Sequence, residues 1–295
     1  MTELPVCALA FDDLCLRDEW ASLPTISDRR MSAKLDMRVL DLADRFRLRG
    51  TIFVSGSTAQ KFPALVKELV QRGHEVAGHG MLHEDLRRLN SSRRVKEVIS
   101  MTLMILDEHS GSCVRGWKHP GLFEDAKVRR GLSRSAVNWC AGSKIPLAVA
   151  RLGCSLLPFE DYGSKVEIPS AWEATDYDLY VRFGFSANRL TKYWEKLPSR
   201  FPSSVLVFTV HPWLHLLKQD RFKALGRVFE NFQSNGEFMT EGEIYEMFKD
   251  GRIRVSSLHQ SFLRVASRAS EMLRNQITAR PDKSPCGAAQ LCSQY

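Results

Sequence analysis

Short apolar runs alternate with longer segments of helical period along most of this 295-residue chain. Residues 6–11 form the first apolar run. Apolar side chains then recur at helical spacing over residues 35–46 until Gly50, which we predict to be a helix cap. The next apolar run covers residues 51–54. A strand, a helix and a second strand in this order are typical of a βαβ unit, so the sequence predicts a parallel sheet covered by helices.

The same alternation continues to residue 249. The predicted helices cover residues 58–72, a segment from Ser91 or Ser92 onward, 220–234 and 241–249. The predicted strands cover residues 75–78, 114–117, 137–141, 166–168, 179–185, 205–210 and 238–240. This number of units fits an α/β barrel, and we place one catalytic domain in residues 1–255. Residues 256–295 are predicted to form a basic amphipathic helix, to about Thr278, and a disordered tail from Pro281.

Composition narrows the class of protein. Lys and Arg outnumber Asp and Glu by 42 to 34, but the excess is spread along the chain, so we expect no nucleic-acid partner. Seven cysteines without a C-x-x-C pair argue against a disulfide framework or a zinc ribbon. Residues 1–10 lack the features of a signal peptide, and no stretch approaches the roughly 20 apolar residues of a membrane span. We therefore predict a cytoplasmic protein.

Two adjacent carboxylates, Asp12 and Asp13, come directly after the first predicted strand. Barrels of this kind place their active-site groups at the carboxyl ends of the strands. Neighbouring carboxylates repel each other, and a divalent cation bound by one of them would offset that cost while the other stays free to take a proton. The alternative for an isolated Asp-Asp pair is a solvated turn or a helix cap.

The segment His79-Gly80-Met81-Leu82-His83 also follows directly on a predicted strand. Two histidines four residues apart can converge on one metal ion, although a pair of surface or capping histidines is the alternative. The joint occurrence of paired Asp and paired His after two strands favours metal binding. One Asp with two His is a ligand set that leaves positions open, as a catalytic metal requires.

His211 follows the predicted strand over residues 205–210. At the carboxyl end of a late strand, it would face the same opening as the Asp and His pairs. A histidine in this position could serve as a general acid, and a structural histidine at a strand end is the alternative.

Four segments, in this order, resemble the motifs of the polysaccharide deacetylases, also called the nodulation deacetylase homology family (carbohydrate esterase family 4 type). They are Phe11-Asp12-Asp13, His79 to His83, Trp117-Lys118-His119-Pro120-Gly121 and Leu206 to His211. The resemblance covers about residues 5–250. It implies a distorted (β/α)7 TIM-like barrel and hydrolysis of an N-acyl group, usually acetyl from an amino sugar.

The resemblance also implies a role for each matching residue. Asp12 would be the general base and His211 the general acid that protonates the departing amine. The ligands of a divalent metal, Zn²⁺ or else Co²⁺ or Ni²⁺, would be Asp13, His79 and His83. The anionic intermediate would lie against the metal and a backbone N–H near Gly121.

Three features depart from the family pattern. Leu14 stands where the family commonly has Gly, so the turn after Asp13 must differ. Lys118 stands where the family usually has an Arg that orients the base, and lysine cannot make the same two-pronged contact with a carboxylate. The Asp and Trp of the fourth motif, which in the family support the acid and line the pocket, have no clean match. Asp176 and Trp172, in a segment that looks like that of the cytosolic branch of the family, are the candidates.

Residues near these motifs are candidates for contact with substrate. They are Trp117, Pro120, Gly121, Trp172, Asp176 and Trp213. A tryptophan can stack on a sugar ring, although one beside a strand more often belongs to the core.

We therefore expect a cytosolic deacetylase of an N-acylated amino sugar that is free, nucleotide-linked or lipid-linked. The terminal helix could hold the protein at the inner face of a membrane that presents a lipid-linked sugar, or it could pack on the barrel. Two other hypotheses keep the same fold. One is a deformylase or a cyclic-amide hydrolase similar to allantoinase, and the other is a binding module without catalysis. The sequence makes no prediction of the oligomeric state.

Overall fold

Nine strands form one curled sheet in the computed structural model, which describes residues 6–14, 30–122, 124–161, 163 and 165–278. The strands are β1 (Val6–Phe11), β2 (Thr51–Val54), β3 (Glu75–Gly78), β4 (Gly116–Trp117), β5 (Trp139–Cys140), β6 (Phe159–Asp161), β7 (Lys165–Glu167), β8 (Leu206–Val210) and β9 (Glu237–Met239). Their order is β6-β7-β5-β4-β3-β2-β1-β8, and β9 also pairs with β1. Every pair is parallel except β6 with β7. This sheet confirms the predicted α/β barrel.

Helices alternate with the strands along the chain. They are α1 (Arg30–Arg45), α2 (Gly56–Lys61), α3 (Pro63–Gln71), α4 (Ser92–Ser110), α5 (Ala126–Ser133), α6 (Leu147–Arg151), α7 (Ala187–Trp194), α8 (Leu197–Arg200), α9 (Pro212–Leu216), α10 (Gln219–Asn235), α11 (Glu241–Lys249) and α12 (Ser257–Thr278). The predicted start of α4 is confirmed, because the side chain of Ser91 accepts a hydrogen bond from the backbone N–H of Arg94.

Side chains alternate between the two faces of the barrel strands. Leu9 and Phe11 of β1 pack in the outer cluster under the helices, whereas Ala8 and Ala10 belong to an inner cluster that fills the barrel. Because the side-chain period of a strand is two residues, Asp12 continues the inner row of β1 at its carboxyl end. The strands thereby direct polar residues at their carboxyl ends into the mouth of the barrel.

The prediction that Gly50 caps α1 is wrong. The helix ends at Arg45, and Arg47 adopts the left-handed conformation with φ 56°. A Cβ on Gly50 would lie 2.7 Å from the carbonyl oxygen of Leu9. Glycine is therefore needed here because the loop passes close to β1, and not because it ends a helix.

The predicted helix over residues 58–72 is two helices, α2 and α3, separated at Phe62. Phe62 precedes Pro63 and has φ −130° and ψ 58°. A proline disfavours helical backbone in the residue before it, so the chain breaks at this point and restarts with proline in the first turn. The predicted end at Gly73 is confirmed by its φ of 83°.

The predicted strand over residues 179–185 is wrong, because this segment begins with a π-helix, Asp178–Arg182. The backbone N–H of Phe183 donates to the carbonyl oxygen of Asp178, so hydrogen bonds are made within the segment and not to the sheet. The carboxylate of Asp178 is fully buried and pairs with Lys144. A run of Leu, Tyr, Val and Phe favours a strand by propensity alone, but tertiary contacts of this kind override propensity.

The terminal helix α12 packs on the barrel. The Ser267 hydroxyl lies 2.6 Å from that of Ser143, which follows β5, and Arg264 donates to the carbonyl oxygen of Glu160 in β6. In the described part of the chain, no helix combines the length and the apolar character that a membrane span requires. The domain boundary at residue 255 stays a prediction, and the predicted tail from residue 281 lies outside the described residues.

Candidate active site

Four strands carry the main candidate residues at their carboxyl ends. Asp12 follows β1, His79 follows β3, Lys118 follows β4 and His211 follows β8. Parallel strands that share a sheet end at the same edge, so the four side chains meet at one end of the barrel. Asp12, His79 and Lys118 are 6%, 2% and 1% exposed. Charges at this end therefore act on one another with little screening by water.

Asp13, His79 and His83 bring three ligand atoms within 4.8 Å of one another. Oδ1 of Asp13 lies 3.0 Å from Nε2 of His83 and 3.4 Å from Nε2 of His79. One carboxylate oxygen and two imidazole nitrogens are a ligand set that zinc and similar divalent metals accept. The three side chains could thus hold one such ion.

A second contact fixes the ring of His79. Its Nδ1 lies 2.9 Å from the carbonyl oxygen of Lys118. Only a protonated Nδ1 can donate to a carbonyl, so in the neutral imidazole the other nitrogen, Nε2 on the side of Asp13, carries the lone pair. This is the tautomer that a metal-binding histidine requires, held by the kind of outer contact that orients such ligands.

The loop that carries His83 is held by Glu84. Its carboxylate accepts hydrogen bonds from the backbone N–H groups of Met81 and Leu82, at 3.2 and 2.6 Å. His83 has φ 58° and Asp13 has φ 60°, so both adopt the left-handed conformation that non-glycine residues usually avoid. Strained backbone of this kind concentrates at functional sites.

The charges of this triad stabilise one another. Burial acts to raise the pKa of Asp13, but His83, His79 and His211 outweigh burial and hold that pKa well below its usual range. Burial acts to lower the pKa of His83, and Asp13 outweighs it, so the pKa of His83 is raised. An ionised carboxylate is therefore favoured at Asp13.

Lys118 holds Asp12 by both carboxylate oxygens. Its Nζ lies 2.8 Å from Oδ2 and 3.0 Å from Oδ1 of Asp12. The same Nζ lies 3.4 Å from Oγ1 of Thr209 and 4.9 Å from the ring centroid of Phe53. A lysine thus reaches both oxygens as a single point charge, where an arginine would use two separate nitrogens.

His211 is held by a fully buried carboxylate. Its Nδ1 lies 2.6 Å from Oδ1 of Asp176, and its backbone N–H donates to Oδ2 at 2.7 Å. Nε2 of His215 lies 2.9 Å from the same Oδ2. Burial acts to lower the pKa of His211, but Asp176, with Asp13 and Asp12, outweighs burial and raises that pKa to about 9. His211 is therefore mostly protonated at neutral pH.

The candidate acid and base stand close together. Nε2 of His211 lies 4.0 Å from Oδ2 of Asp12 and 3.9 Å from Oδ2 of Asp13. A protonated imidazole, a carboxylate and a triad of metal-ligand type thus border one small space. This arrangement can take a proton from one reacting group and give a proton to another.

The structure contradicts the prediction that Trp117 contacts substrate. Its side chain is fully buried, and its indole N–H donates to Nδ1 of His119 at 3.0 Å. Trp172 is half-buried; its indole N–H donates to Ser270, and the guanidinium of Arg182 lies 4.8 Å from its ring centroid. Trp117 therefore belongs to the core, whereas contact of Trp172 with substrate stays a prediction.

Asp176 contacts the candidate acid His211, as the resemblance implies for the Asp of the fourth motif, but its carboxylate is fully buried and is not placed to contact substrate. Trp213 stays a candidate. Its ring centroid lies 6.3 Å from that of His211 and 6.5 Å from that of Tyr177. Its indole nitrogen is buried, with no hydrogen-bond partner in the ranges that the structure describes. This group borders the mouth of the barrel and could donate a hydrogen bond to a ligand.

The loop after β4 packs on the loop that carries His79 and His83. Pro120 is buried and its ring would lie 3.0 Å from a Cβ on Gly80, so it packs on the loop that carries the histidines. Gly121 is exposed and has φ 61°.

Leu14, where the family commonly has Gly, is 1% exposed and anchors the turn after Asp13 in the core. The departure at residue 14 is thereby accommodated by packing.

Sequence reasoning missed four residues that complete the site: Thr209, Glu84, Tyr177 and His215. The spacing of His211 and His215 repeats that of His79 and His83, and this signal could have identified His215. Thr209 lies on the inner row of β8 two residues before His211, and strand periodicity could have identified it. The sequence carries no comparable signal for Tyr177, whose ring centroid lies 5.7 Å from that of His211.

Known proteins resemble this chain in sequence and in fold. The family model named polysaccharide deacetylase matches residues 2–138. A chitooligosaccharide deacetylase of Bradyrhizobium sp. (strain ANU 289) is 33% identical over 163 residues, which cover 49% of this chain and 72% of the relative. A peptidoglycan-N-acetylglucosamine deacetylase of Bacillus cereus is 30% identical over 74 residues, 25% of this chain and 26% of the relative.

A solved structure from Mycobacterium smegmatis, of a protein named for the polysaccharide deacetylases, superposes with a TM-score of 0.68. The superposition covers 87% of this chain and 94% of that one, at 20% identity. At this identity the likeness concerns the fold, and it agrees with the (β/α)7 TIM-like barrel that the sequence predicts.

Proposed function

Since the chain belongs to the polysaccharide deacetylase family, we propose that it hydrolyses the N-acetyl amide of an amino sugar. One observation carries the proposal: a buried carboxylate, a protonated histidine and a triad of metal-ligand type border one space at the mouth of the barrel. Amide hydrolysis needs a group that activates water and a group that protonates the leaving amine, and this arrangement has a candidate for each.

We assign Asp13, His79 and His83 as the residues that would hold a divalent metal. Their donor set fits zinc, with cobalt and nickel as alternatives, and the fixed tautomer of His79 supports the assignment. Such a metal, when bound, would polarise the acyl carbonyl and lower the pKa of a water molecule.

Asp12 is the proposed general base. It lies beside the triad and, unlike Asp13, it makes its close contacts with Lys118 instead of the histidines. Held by both oxygens, it cannot turn away from the opening, so it is positioned to take the proton of the attacking water. Lys118 also offsets the repulsion between the adjacent carboxylates of Asp12 and Asp13.

His211 is the proposed general acid. A pKa of about 9 keeps its imidazole protonated at neutral pH, and Asp176 fixes the ring so that Nε2 points toward Asp12 and Asp13. An amide nitrogen is a poor leaving group unless it receives a proton, and Nε2 is the atom that would supply it. A backbone N–H near Gly121 stays our candidate for contact with the anionic intermediate.

The proposed substrate is an N-acetylated amino sugar of the glucosamine type, because the curated relatives are named for chitooligosaccharide and peptidoglycan deacetylation. Free, nucleotide-linked and lipid-linked forms all present the same amide. A cytoplasmic location, with contact at the inner face of the membrane for a lipid-linked substrate, stays a prediction.

The experiment is a screen for acetate release from N-acetylglucosamine, its oligomers, and nucleotide and lipid conjugates, with zinc, cobalt or nickel added. We expect acetate and a free amine in equal amounts from at least one substrate, and a loss of about a thousandfold or more in Asp12→Asn. Release of formate, or opening of a cyclic amide, would favour the second hydrolase hypothesis. A metal-loaded protein with no turnover on any of these substrates would contradict the enzyme and favour a binding module.

A further inference from the structure

Glu241, the first residue of α11, is a buried carboxyl group that the proposed chemistry does not use. Its side chain is fully buried, and within the described ranges neither of its oxygens has a hydrogen-bond partner. Its backbone N–H donates to Oγ1 of Thr51, at the amino end of β2, over 2.7 Å. Glu241 therefore lies at the end of the barrel opposite to Asp12.

Small side chains line part of the barrel interior. Ala8, Ala10 and Ala77 are fully buried members of the inner cluster. Barrel interiors are commonly filled by larger branched side chains. An apolar residue at position 241 would occupy the same volume without the cost of burying a carboxyl group that has no partner. A carboxyl group in this place calls for a functional explanation.

Lys118 enters the same interior from the other end. Its ammonium group lies by the ring of Phe53 and the hydroxyl of Thr209, which both belong to inner rows of the barrel. Thr209 and Thr51 both pair with Ala10 of β1, and Lys118 and Glu241 contact these two threonines, so they reach the same layer of the interior. The charges that act on Glu241 are those of Lys118, of opposite sign, and of Glu75 and Asp12. Burial raises the pKa of Glu241 to about 8, so at pH 7 its carboxyl group is mostly protonated and has a carbonyl oxygen to offer.

We propose that Glu241 is a positioning residue that directs a carboxyl dipole at the ammonium group of Lys118 and thereby fixes the base Asp12. Lysine has a compact charge where the family usually has a two-pronged guanidinium. A carboxyl oxygen of Glu241, on the side of the Lys118 ammonium group that faces away from Asp12, would restrict the directions in which the ammonium group can move. The kinetic part of this inference rests on the proposed hydrolase function.

The first test replaces Glu241 by residues of similar volume. Glu241→Leu removes the polar group, and we expect kcat to fall roughly tenfold with KM unchanged, while the resistance to denaturant stays equal or increases. A purely structural role predicts the reverse, a less stable protein with normal kcat. Glu241→Gln keeps a carbonyl oxygen and should restore most of kcat at pH 7. Asp161→Asn, in β6, is the matched control and should leave kcat and KM unchanged, because this buried carboxylate pairs with Arg268 of α12, away from Lys118.

A double-mutant cycle with Lys118→Met completes the test. If Glu241 acts through Lys118, Glu241→Leu has no further effect on kcat in the Lys118→Met background. An equal loss of kcat in both backgrounds, or normal kcat in a folded Glu241→Leu protein, overturns the inference. If the metal-loaded wild type hydrolyses no substrate, the proposed function fails. Urea unfolding of the wild type, Glu241→Leu, Lys118→Met and the double variant then tests the Glu241–Lys118 interaction by itself. Non-additive effects on stability then support the Glu241–Lys118 interaction, and additive effects overturn it.

Discussion

The ammonium nitrogen of Lys118 lies 2.8 and 3.0 Å from the two carboxylate oxygens of Asp12, and both side chains are almost completely buried. A buried carboxylate that loses its cation is left with an uncompensated charge. The contact therefore matters both for the stability of the barrel and for the position of the proposed base.

We expect Lys118→Met to lower kcat by about a hundredfold and the free energy of unfolding by roughly 3–5 kcal/mol. Steady-state kinetics and urea unfolding measure the two effects. Lys144→Met is the matched control, since Lys144 forms another buried ion pair, with Asp178, away from Asp12. It should destabilise the protein but change kcat per folded molecule by less than about twofold. Equal kcat for the two variants would show that Lys118 has no specific role in catalysis.

Metal binding provides a second prediction. His83→Ala removes one of the three proposed ligands, and we expect its zinc affinity to fall by at least about a hundredfold. Isothermal titration and the zinc-dependent rise in melting temperature measure this loss. His109→Ala, on the outer helix α4, should bind zinc as the wild type does. Unchanged affinity in His83→Ala would exclude this histidine as a ligand.

The Asp176–His211 contact predicts a pH effect in the metal-free chain. The pKa of His211 is raised to about 9, so the stability gained from this contact is fully present below the unfolded value of about 6.5 and is lost as pH rises through 9. Asp176→Asn should bring the pKa of His211 back toward its ordinary range and destabilise the protein most below pH 6.5. NMR titration of the histidines and unfolding at several pH values measure both effects. A destabilisation that does not change with pH would contradict the assignment.

The alternation of short apolar runs and helical segments was enough to predict the barrel, because each strand end places its polar residues at a common edge. The same reasoning brought Asp12, Asp13, His79, His83 and His211 together. It failed where long-range contacts decide the outcome. Glycine is required at position 50 because the loop passes close to β1, and no feature of the neighbouring sequence indicates this close contact. The segment after Asp176 has strand propensity, yet the buried ion pair of Asp178 accompanies a π-helix there.

The residues that support the site were harder to predict than the residues that form it. Trp117 is of a residue type that can stack on a sugar ring, and only its burial beside His119 shows that it belongs to the core. Glu241 lies far along the chain from every motif, and its relation to Lys118 depends on the way α11 closes the amino end of the barrel. Relations across a barrel axis are not encoded in residue spacing.

Glu241 also predicts how the stability of the protein depends on pH. Its pKa is raised by burial to about 8, from about 4.3 in an unfolded chain, so its neutral form is favoured by the fold. For a group with a raised pKa, stability is fully present below the unfolded value and is lost as pH rises through the folded value. We therefore expect the wild type to lose a few kcal/mol between about pH 5 and 9 that Glu241→Gln retains, because glutamine cannot ionise. Urea unfolding across this range measures the difference, and parallel curves for the two proteins would show that Glu241 ionises as freely in the folded chain as in the unfolded one.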